Sequence, residues 1–247
     1  LVNIFVMSYI TVFYTNSVGI AAAVAGTVLL LSKLADGVSD LIFSFIMEKS
    51  HFRMGKARPW MLISGPLVGV GVLLCFNVPA GLSDTGKFIY TLLTYVFLQA
   101  VSITIFWISY NTLFPLVSHD PQDRNVLQSL GNFFVNGGSM LMSLLMPFAF
   151  AAWGGVSEPG CWNKISIILA IMSTILVMIS AIVCKEKDSS DLLEQPEKKD
   201  GNELSTMQTA KLVFSQKYTW LILIVFIMFD LFNGMVAMRT YICIYIL

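Results

Sequence analysis

Residues 33–60 read KLADGVSDLIFSFIMEKSHFRMGKARPW, and the interpretation of the whole sequence starts from this stretch. It begins inside an apolar run at residues 19–46 that is long enough to cross a bilayer. Lys33, Asp36 and Asp40 are spaced i, i+3 and i+7, so a helix carries all three on one face. Counted inward from the polar end of the run, Asp36 lies about 18 Å deep and Asp40 about 12 Å deep. Asp36 is therefore expected near the bilayer midplane.

Both aspartates occupy positions where a charge is costly. Ionisable residues inside a membrane usually face a polar cavity and mark an ion or substrate path. Two carboxylates one turn apart repel each other, and a proton, a lysine or a bound cation relieves that repulsion. The pair thus predicts a cation site. The alternative is a structural ion pair of Lys33 with Asp36, with Asp40 capping or hydrogen-bonding a neighbour, although one base does not neutralise two acids at this depth.

The composition indicates a polytopic membrane protein. Hydrophobic residues make up 56% of the chain and charged residues 12%, which is too apolar for an ordinary soluble domain. The net charge is zero and does not point to a nucleic-acid partner. The four cysteines have no paired spacing, and no Ser/His/Asp, Cys/His or HExxH grouping is present. The sequence therefore predicts neither an enzyme nor a cofactor.

Seven apolar runs predict seven helices and an all-α membrane fold. Residues 1–184 are expected to form a six-helix bundle with a truncated first helix. Residues 185–217 are charged and poor in apolar side chains, which is typical of a linker. Residues 218–247 then begin a second bundle, so the chain is interpreted as a fragment. Helix I is predicted to end at about residue 14. Helices II to VII are predicted at about residues 18–48, 59–76, 87–116, 122–153, 162–184 and 218–247.

Lysines and arginines are distributed unequally between the predicted loops. Eleven lie in the connections that follow helices II, IV and VI, whereas the opposite loops carry two. The positive-inside rule therefore places the N-terminus and the linker between helices VI and VII in the cytoplasm. We expect a multi-pass protein of the cell membrane.

Three further motifs accompany the acid pair: GKARPW at 55–60, YNTLFP at 110–115 and DPQDR at 120–124. Together they resemble the glycoside–pentoside–hexuronide:cation symporters, the branch of the major facilitator superfamily that includes the melibiose carriers. The resemblance covers essentially the whole chain, which would be about half of such a transporter. It implies symport of a sugar or glycoside with Na⁺ or H⁺ by alternating access. We expect a monomer whose partners are that small molecule and the lipid bilayer.

The resemblance also implies the ligands of the cation. In the family the paired acids of helix II bind the coupling ion, so Asp36 and Asp40 take that role and Lys33 the neighbouring basic position. The polar residue before the second acid and a threonine of helix IV, here Ser39 and Thr104, complete the site. Na⁺ is a hard cation that suits carboxylate and hydroxyl oxygens. No other metal is expected.

The sequence departs from the family pattern on three helices. After the second acid the family has Pro, Gly and Asp, where this chain has Leu41, Ser44 and Glu48. The helix IV acid of the melibiose carriers is absent, and Trp107 lies one turn before the Tyr-Asn motif. Asn132 replaces their basic residue on helix V. These departures argue against galactosides and make H⁺ coupling plausible beside Na⁺.

Aromatic and amide side chains are the candidate sugar contacts. Trp107 and Tyr110 are suited to stack on an apolar sugar face, and amides supply the donors and acceptors that hydroxyls need. The alternative role is structural, because amides often join membrane helices and tryptophans often anchor them at the interface. Asp230, about 18 Å into helix VII, is a further midplane acid that faces the cavity or pairs elsewhere. The amide candidates are Gln99, Asn111, Asn132 and Asn136.

Charged loop residues on the predicted cytoplasmic side are candidates for a gate. Ion pairs there would hold the cavity shut from inside and break during alternating access. The alternative is an ordinary solvated loop. The gate candidates are Glu48, Arg58, Asp123 and Arg124.

Glycines on helices III and V are predicted to allow close helix packing rather than to bind a ligand. On helix III they are Gly65, Gly69 and Gly71, and on helix V Gly131, Gly137 and Gly138.

Two alternatives to a sugar symporter remain. A lysolipid or other amphiphile carrier of the same fold predicts a broad apolar groove in place of a polar cavity. A membrane sensor or scaffold would keep the fold without transport, and substitution of the acids would affect only its stability.

Overall fold

A computed structural model describes residues 2–50, 52, 54–79, 81–117, 120–156, 158–184, 215–221, 224, 225 and 228. The chain divides into two compact units, Leu1–Ser189 and Ser190–Leu247. In the first unit the helices are α1 (Val2–Val12), α2 (Ala22–Lys49), α3 (Arg58–Phe76), α4 (Asp84–Val96), α5 (Thr104–Val117), α6 (Pro121–Ala152) and α7 (Pro159–Val183). Two π-helical segments, Phe13–Ser17 and Phe97–Ile103, extend α1 and join α4 to α5.

The prediction of an all-α membrane fold is confirmed for the described residues. Predicted helices II, III, V and VI correspond to α2, α3, α6 and α7, and predicted helix IV to α4, its π segment and α5. Four described helical stretches are long and apolar enough to cross a bilayer: Arg58–Phe76, Asp84–Leu113, Gln122–Ala152 and Pro159–Val183. Residues 217–221 are helical in the second unit, whereas residues 185–214 of the predicted linker and Asp230 lie outside the described residues.

Four helices begin earlier than predicted: α3 by one residue, and α4, α6 and α7 because of the residues at their starts. The Ser83 hydroxyl accepts a hydrogen bond from the Gly86 amide at 3.3 Å, so α4 begins at Asp84 and not at residue 87. The Asp120 carboxylate caps α6 in the same way. Helix α7 begins three residues before its predicted start, at Pro159, because proline is well tolerated in a first turn.

The predicted break between helix I, ending at about residue 14, and helix II, beginning at about residue 18, is misplaced. Residues 15–17 continue α1 as a π-helical turn, and the Thr15 hydroxyl donates back to the Thr11 carbonyl at 3.0 Å. The chain reverses at Gly19, whose φ of 76° is a conformation that side chains with a Cβ rarely adopt. Helix α2 therefore begins at Ala22, four residues after its predicted start.

Helices α3 and α7 form the most extensive helix contact of the first unit. A Cβ at Gly69 would meet the Thr174 hydroxyl and lie 3.2 Å from the Ala170 carbonyl oxygen. The Thr174 hydroxyl donates to the Gly65 carbonyl at 3.2 Å. We call these four residues the α3–α7 seam. The packing prediction is thus confirmed for helix III.

The glycines elsewhere give a mixed result. A Cβ at Gly71 would lie 2.9 Å from Leu98 of the second π segment, so this glycine also allows close packing. Among the described residues, a Cβ at Gly137 would meet nothing within 4 Å, so close packing at this glycine stays a prediction. In this part of the chain α6 exposes most of the stretch around Gly137 and buries Met142, Met146 and Phe150 nearer its end.

Candidate functional site

The π segment between α4 and α5 determines where the candidate site residues lie. It places Thr104 at the start of α5, where its backbone amide and its hydroxyl both bond the Gln99 carbonyl, the hydroxyl at 3.3 Å. Helix α2 packs against α4, the π segment and α5. Short π-helical insertions in α-helices are frequent at functional sites, because the widened turn redirects the side chains around it.

The predicted cation ligands meet at this contact. The Thr104 hydroxyl donates to Asp36 Oδ1 at 3.1 Å, and Lys33 Nζ lies 3.3 Å from Asp36 Oδ2. Asp40, one turn further along α2, also interacts with the Thr104 hydroxyl. We call Lys33, Asp36, Asp40 and Thr104 the acid–hydroxyl site. Ser39 lies on the same helix, and its hydroxyl donates to the Asp36 backbone carbonyl at 3.0 Å.

The charges of the acid–hydroxyl site do not cancel. One ammonium and two carboxylates leave a formal charge of −1, which is the charge that a monovalent cation neutralises. The Lys33 side chain is 61% exposed and that of Asp36 24%, so the pair is held loosely. A cation can therefore displace the ammonium from Asp36 without leaving a buried lysine unpaired. The donor set of carboxylate and hydroxyl oxygens fits Na⁺, and either carboxylate can take a proton instead.

A cavity of about 300 Å³ lies on another side of α5, lined by residues of α1, α3, α5, α6 and α7 and by Ile103 of the π segment. Trp107 and Tyr110 line it, with ring centroids 5.8 Å apart and nearly perpendicular planes. Two of the predicted sugar contacts thus share one cavity. Most of the remaining wall is aliphatic, and Asn3 and Ser173 contribute polar atoms.

Gln99 connects the cavity with the acid–hydroxyl site. Its buried side chain donates to Asn3 Oδ1 at 3.4 Å and to the Tyr95 hydroxyl at 3.5 Å, while its backbone carbonyl holds Thr104. Asn3 lines the cavity, and Gln99 lies behind it. Sequence reasoning missed Asn3 and Tyr95. An asparagine in the otherwise apolar start of the chain was the available signal for the first of them.

The other predicted amides are placed differently. Asn111, Asn132 and Asn136 are exposed, and none of the three lines the cavity, whereas Val135 of α6 does. Their role as sugar contacts stays a prediction. The polar cluster expected from the sequence is therefore spread over the exposed faces of α5 and α6 in this part of the chain.

The gate candidates lie at the ends of helices. Arg58, at the start of α3, donates from Nε to the Ala181 carbonyl at 3.0 Å and from Nη2 to the Ile182 carbonyl at 3.1 Å. Its positive charge thus satisfies the last carbonyls of α7 and complements the helix dipole. Glu48 and Asp123 are exposed and Arg124 is half-buried. Their participation in a gate stays a prediction.

Taken together, several apolar spans and an acid pair facing a threonine of a neighbouring helix define a multi-pass membrane protein of the transporter type. The chain belongs to the MFS/sugar transport protein family, whose match covers residues 1–247. This confirms the resemblance that the motifs indicated.

Three relatives illustrate the membership. The chain is 30% identical to the inner membrane symporter YicJ of Escherichia coli K12 over 74% of its own length and 39% of that protein. It is 28% identical to the isoprimeverose transporter of Lactiplantibacillus pentosus, over 74% and 38% of the two chains. It is 27% identical to the putative glycoside/cation symporter YagG of Escherichia coli K12, over 75% and 39%. The matched region thus spans about two-fifths of each relative.

Proposed function

We propose that the full-length gene product is a secondary transporter that carries a sugar or glycoside together with Na⁺ or H⁺. The observation that carries the proposal is the contact between Asp36 of α2 and Thr104 of α5, with Asp40 beside it. Ionisable residues within a membrane helix are expensive and usually functional. Here Asp36 accepts a hydrogen bond from a hydroxyl of a different helix, Asp40 lies one turn away, and with Lys33 the group keeps a formal negative charge.

Coupling between ion and substrate follows from the connection through Gln99. A cation at the acid–hydroxyl site changes what the Thr104 hydroxyl bonds, and Thr104 holds the carbonyl of Gln99. The Gln99 side chain in turn holds Asn3 at the cavity. Ion and substrate therefore bias the same helix segment, which is what energetic coupling between two sites requires.

The names of the relatives support this proposal. They describe two symporters, one of them a putative glycoside/cation symporter, and an isoprimeverose transporter. We further propose that the N-terminus and the linker are cytoplasmic, as the positive-inside rule predicts. We also propose that the linker runs from residue 185 to residue 217 between two bundles and that the protein is a monomer.

The test is uptake of labelled sugars and glycosides by membrane vesicles that contain the full-length gene product. A Na⁺ gradient and a pH gradient are imposed separately. Accumulation driven by one of them identifies the ion, and Asp36→Asn and Asp40→Asn should each abolish it. Asp84→Asn, which removes an acid from the exposed first turn of α4, is the matched control and should accumulate substrate as the wild type does.

A result against the proposal is accumulation that ignores both gradients and both site variants. The acid pair would then be structural, as the alternative reading of the sequence holds.

A second candidate function is transport of an amphiphile such as a lysolipid. The observation that favours it is the largely aliphatic wall of the cavity. Competition decides between the two, because a lysolipid carrier should take up a labelled lysolipid and should not be inhibited by glycosides.

A further inference from the structure

The wall of the cavity is poorly suited to a sugar ring by itself. Among the described residues, its polar atoms come from few side chains, Asn3 and Ser173 among them, whereas Leu169, Val135 and similar residues form most of the surface. Sugar hydroxyls need paired donors and acceptors, and burying them against aliphatic groups without partners is costly. The cavity therefore suits an apolar group better than a polyol.

The size of the cavity limits that group. A dry cavity of about 150 Å³ lined by aliphatic and aromatic side chains holds one benzene molecule. The cavity of this protein, at about 300 Å³, has room for a substituted aromatic ring or a short alkyl chain. The long acyl chain of a lipid exceeds it.

The position of the cavity relates it to the acid–hydroxyl site. Trp107 follows Thr104 by three residues on α5, so the two side chains are neighbours on the helix surface. Thr104 bonds Asp36, whereas Trp107 lines the cavity and remains 39% exposed. Asn111 lies one turn beyond Trp107 and is exposed. A sugar held near Trp107 and Asn111 would thus have an apolar cavity next to it.

Resting on the proposed function, we propose that this cavity is a subsite for the apolar aglycone of a glycoside. The preferred substrates are then aryl or short-chain alkyl glycosides rather than free sugars. Trp107 and Tyr110 contact the aglycone with their rings, and apolar side chains of α7 form a further part of the wall.

The first test uses the unmodified full-length gene product in membrane vesicles. Uptake is measured for methyl, n-butyl, n-octyl and p-nitrophenyl glucosides and xylosides under the driving gradient. The KM of the p-nitrophenyl compounds should be roughly 10- to 100-fold below that of the methyl compounds, which is the range that hydrophobic pockets achieve. The gain should stop between the butyl and octyl compounds, because the cavity is then full.

The second test fills the cavity. Ser173→Phe places a ring in it from α7, and Ile171→Phe adds the same ring two residues away on an exposed face of that helix. The ratio of the methyl to the p-nitrophenyl KM should fall to about two or less in Ser173→Phe and keep its wild-type value in Ile171→Phe. The alkyl series needs no variant, so it decides the question even if Ser173→Phe does not fold.

The outcomes separate the two proposals. Equal KM values for methyl and p-nitrophenyl glycosides, or an advantage that survives Ser173→Phe, overturn the subsite while leaving symport intact. Uptake of a labelled lysolipid with no uptake of any glycoside overturns both. Accumulation of glycosides that ignores the gradients and the aspartate variants overturns symport alone, because the preference for an aglycone would still be measurable.

Discussion

The acid–hydroxyl site and the α3–α7 seam use the same kind of threonine in opposite ways. Thr104 bonds a carboxylate of another helix at 3.1 Å, and its neighbourhood keeps a net charge. Thr174 bonds the Gly65 backbone carbonyl at 3.2 Å. At this contact the two helices lie so close that a side chain in place of Gly69 would collide with α7. The first contact can exchange partners when an ion or proton arrives, whereas the second is closed. We infer that transport depends on the first contact and the integrity of the bundle on the second.

The largest effect is expected in the seam. Gly69→Leu forces α3 and α7 apart, because even its Cβ collides with Thr174 and Ala170. Overpacking of this kind costs about 1–3 kcal/mol, and we expect the upper end here. The midpoint of thermal aggregation in detergent should fall clearly. Gly137→Leu is the control, since that position is open and should keep the wild-type midpoint. Equal losses in both variants would contradict the distinction.

The next effect concerns the site. Thr104→Val removes the hydroxyl from Asp36 and keeps the side-chain shape. The hydroxyl oxygen is a proposed ligand of the cation, and a polar contact to a charged group contributes about 1.5 kcal/mol or more, so the cation concentration at half-maximal uptake should rise about tenfold. Thermal stability should change little.

Thr112→Val is the matched control for this change on the same helix, because the Thr112 hydroxyl bonds the Ile108 carbonyl of its own helix and the uncharged Met47 sulfur of α2. If Thr104→Val lowered thermal stability without changing the cation dependence of uptake, Thr104 would have a structural role. The contrast with Thr174 would then not hold.

A smaller effect is expected at Gln99, which connects the acid–hydroxyl site with the cavity. Gln99→Leu breaks the bonds to Asn3 and Tyr95 and keeps a side chain of similar size. Both bonds are long, so the loss is about threefold in affinity, or roughly 0.7 kcal/mol. The affinity for substrate should become less dependent on the cation, as measured by binding with and without the ion. If Gln99 contacts the sugar directly, affinity should fall equally in both conditions.

The smallest effect is expected at Arg58, which joins the start of α3 to the end of α7 outside the α3–α7 seam. Arg58→Met keeps the aliphatic stem and removes the guanidinium from the last carbonyls of α7. The expected loss is about 0.5 kcal/mol, because this contact is partly exposed. Lys164→Met, at the opposite end of α7, removes a charge that the helix dipole does not favour and should not destabilise. Thermal aggregation midpoints of the two variants check this difference.

The sequence was informative where a residue type is costly in its setting. The spacing of Lys33, Asp36 and Asp40 predicted one face of one helix, and Asp36 accepts a hydrogen bond from Thr104 of a neighbouring helix. The glycines of helix III were equally informative, because glycines within a membrane helix usually mark a close contact with another helix. In each case a local rule makes the residue unusual by itself.

Features that depend on several helices at once were not predictable in this way. Nothing in FLQAVSI distinguishes a π-helical segment from an α-helix, because its packing against α2 and α3 determines the wider turn. The cavity was missed for the same reason, since its wall consists of ordinary aliphatic residues from five helices. The amides are predicted sugar contacts because they are polar residues in apolar runs. In the structure, Asn132 and Asn136 lie on an exposed face of α6.

The π segment also makes chain length part of the site. An α-helix turns by about 100° per residue, so adding or removing one residue rotates everything after it by that angle. A single deletion within Phe97–Ile103 that restored α-helical geometry would turn Thr104 away from Asp36 without changing either residue. The same rotation would move Trp107 and Tyr110 out of the cavity wall. The acid–hydroxyl site and the cavity therefore share one register, and a single insertion or deletion in this segment is expected to lose both together.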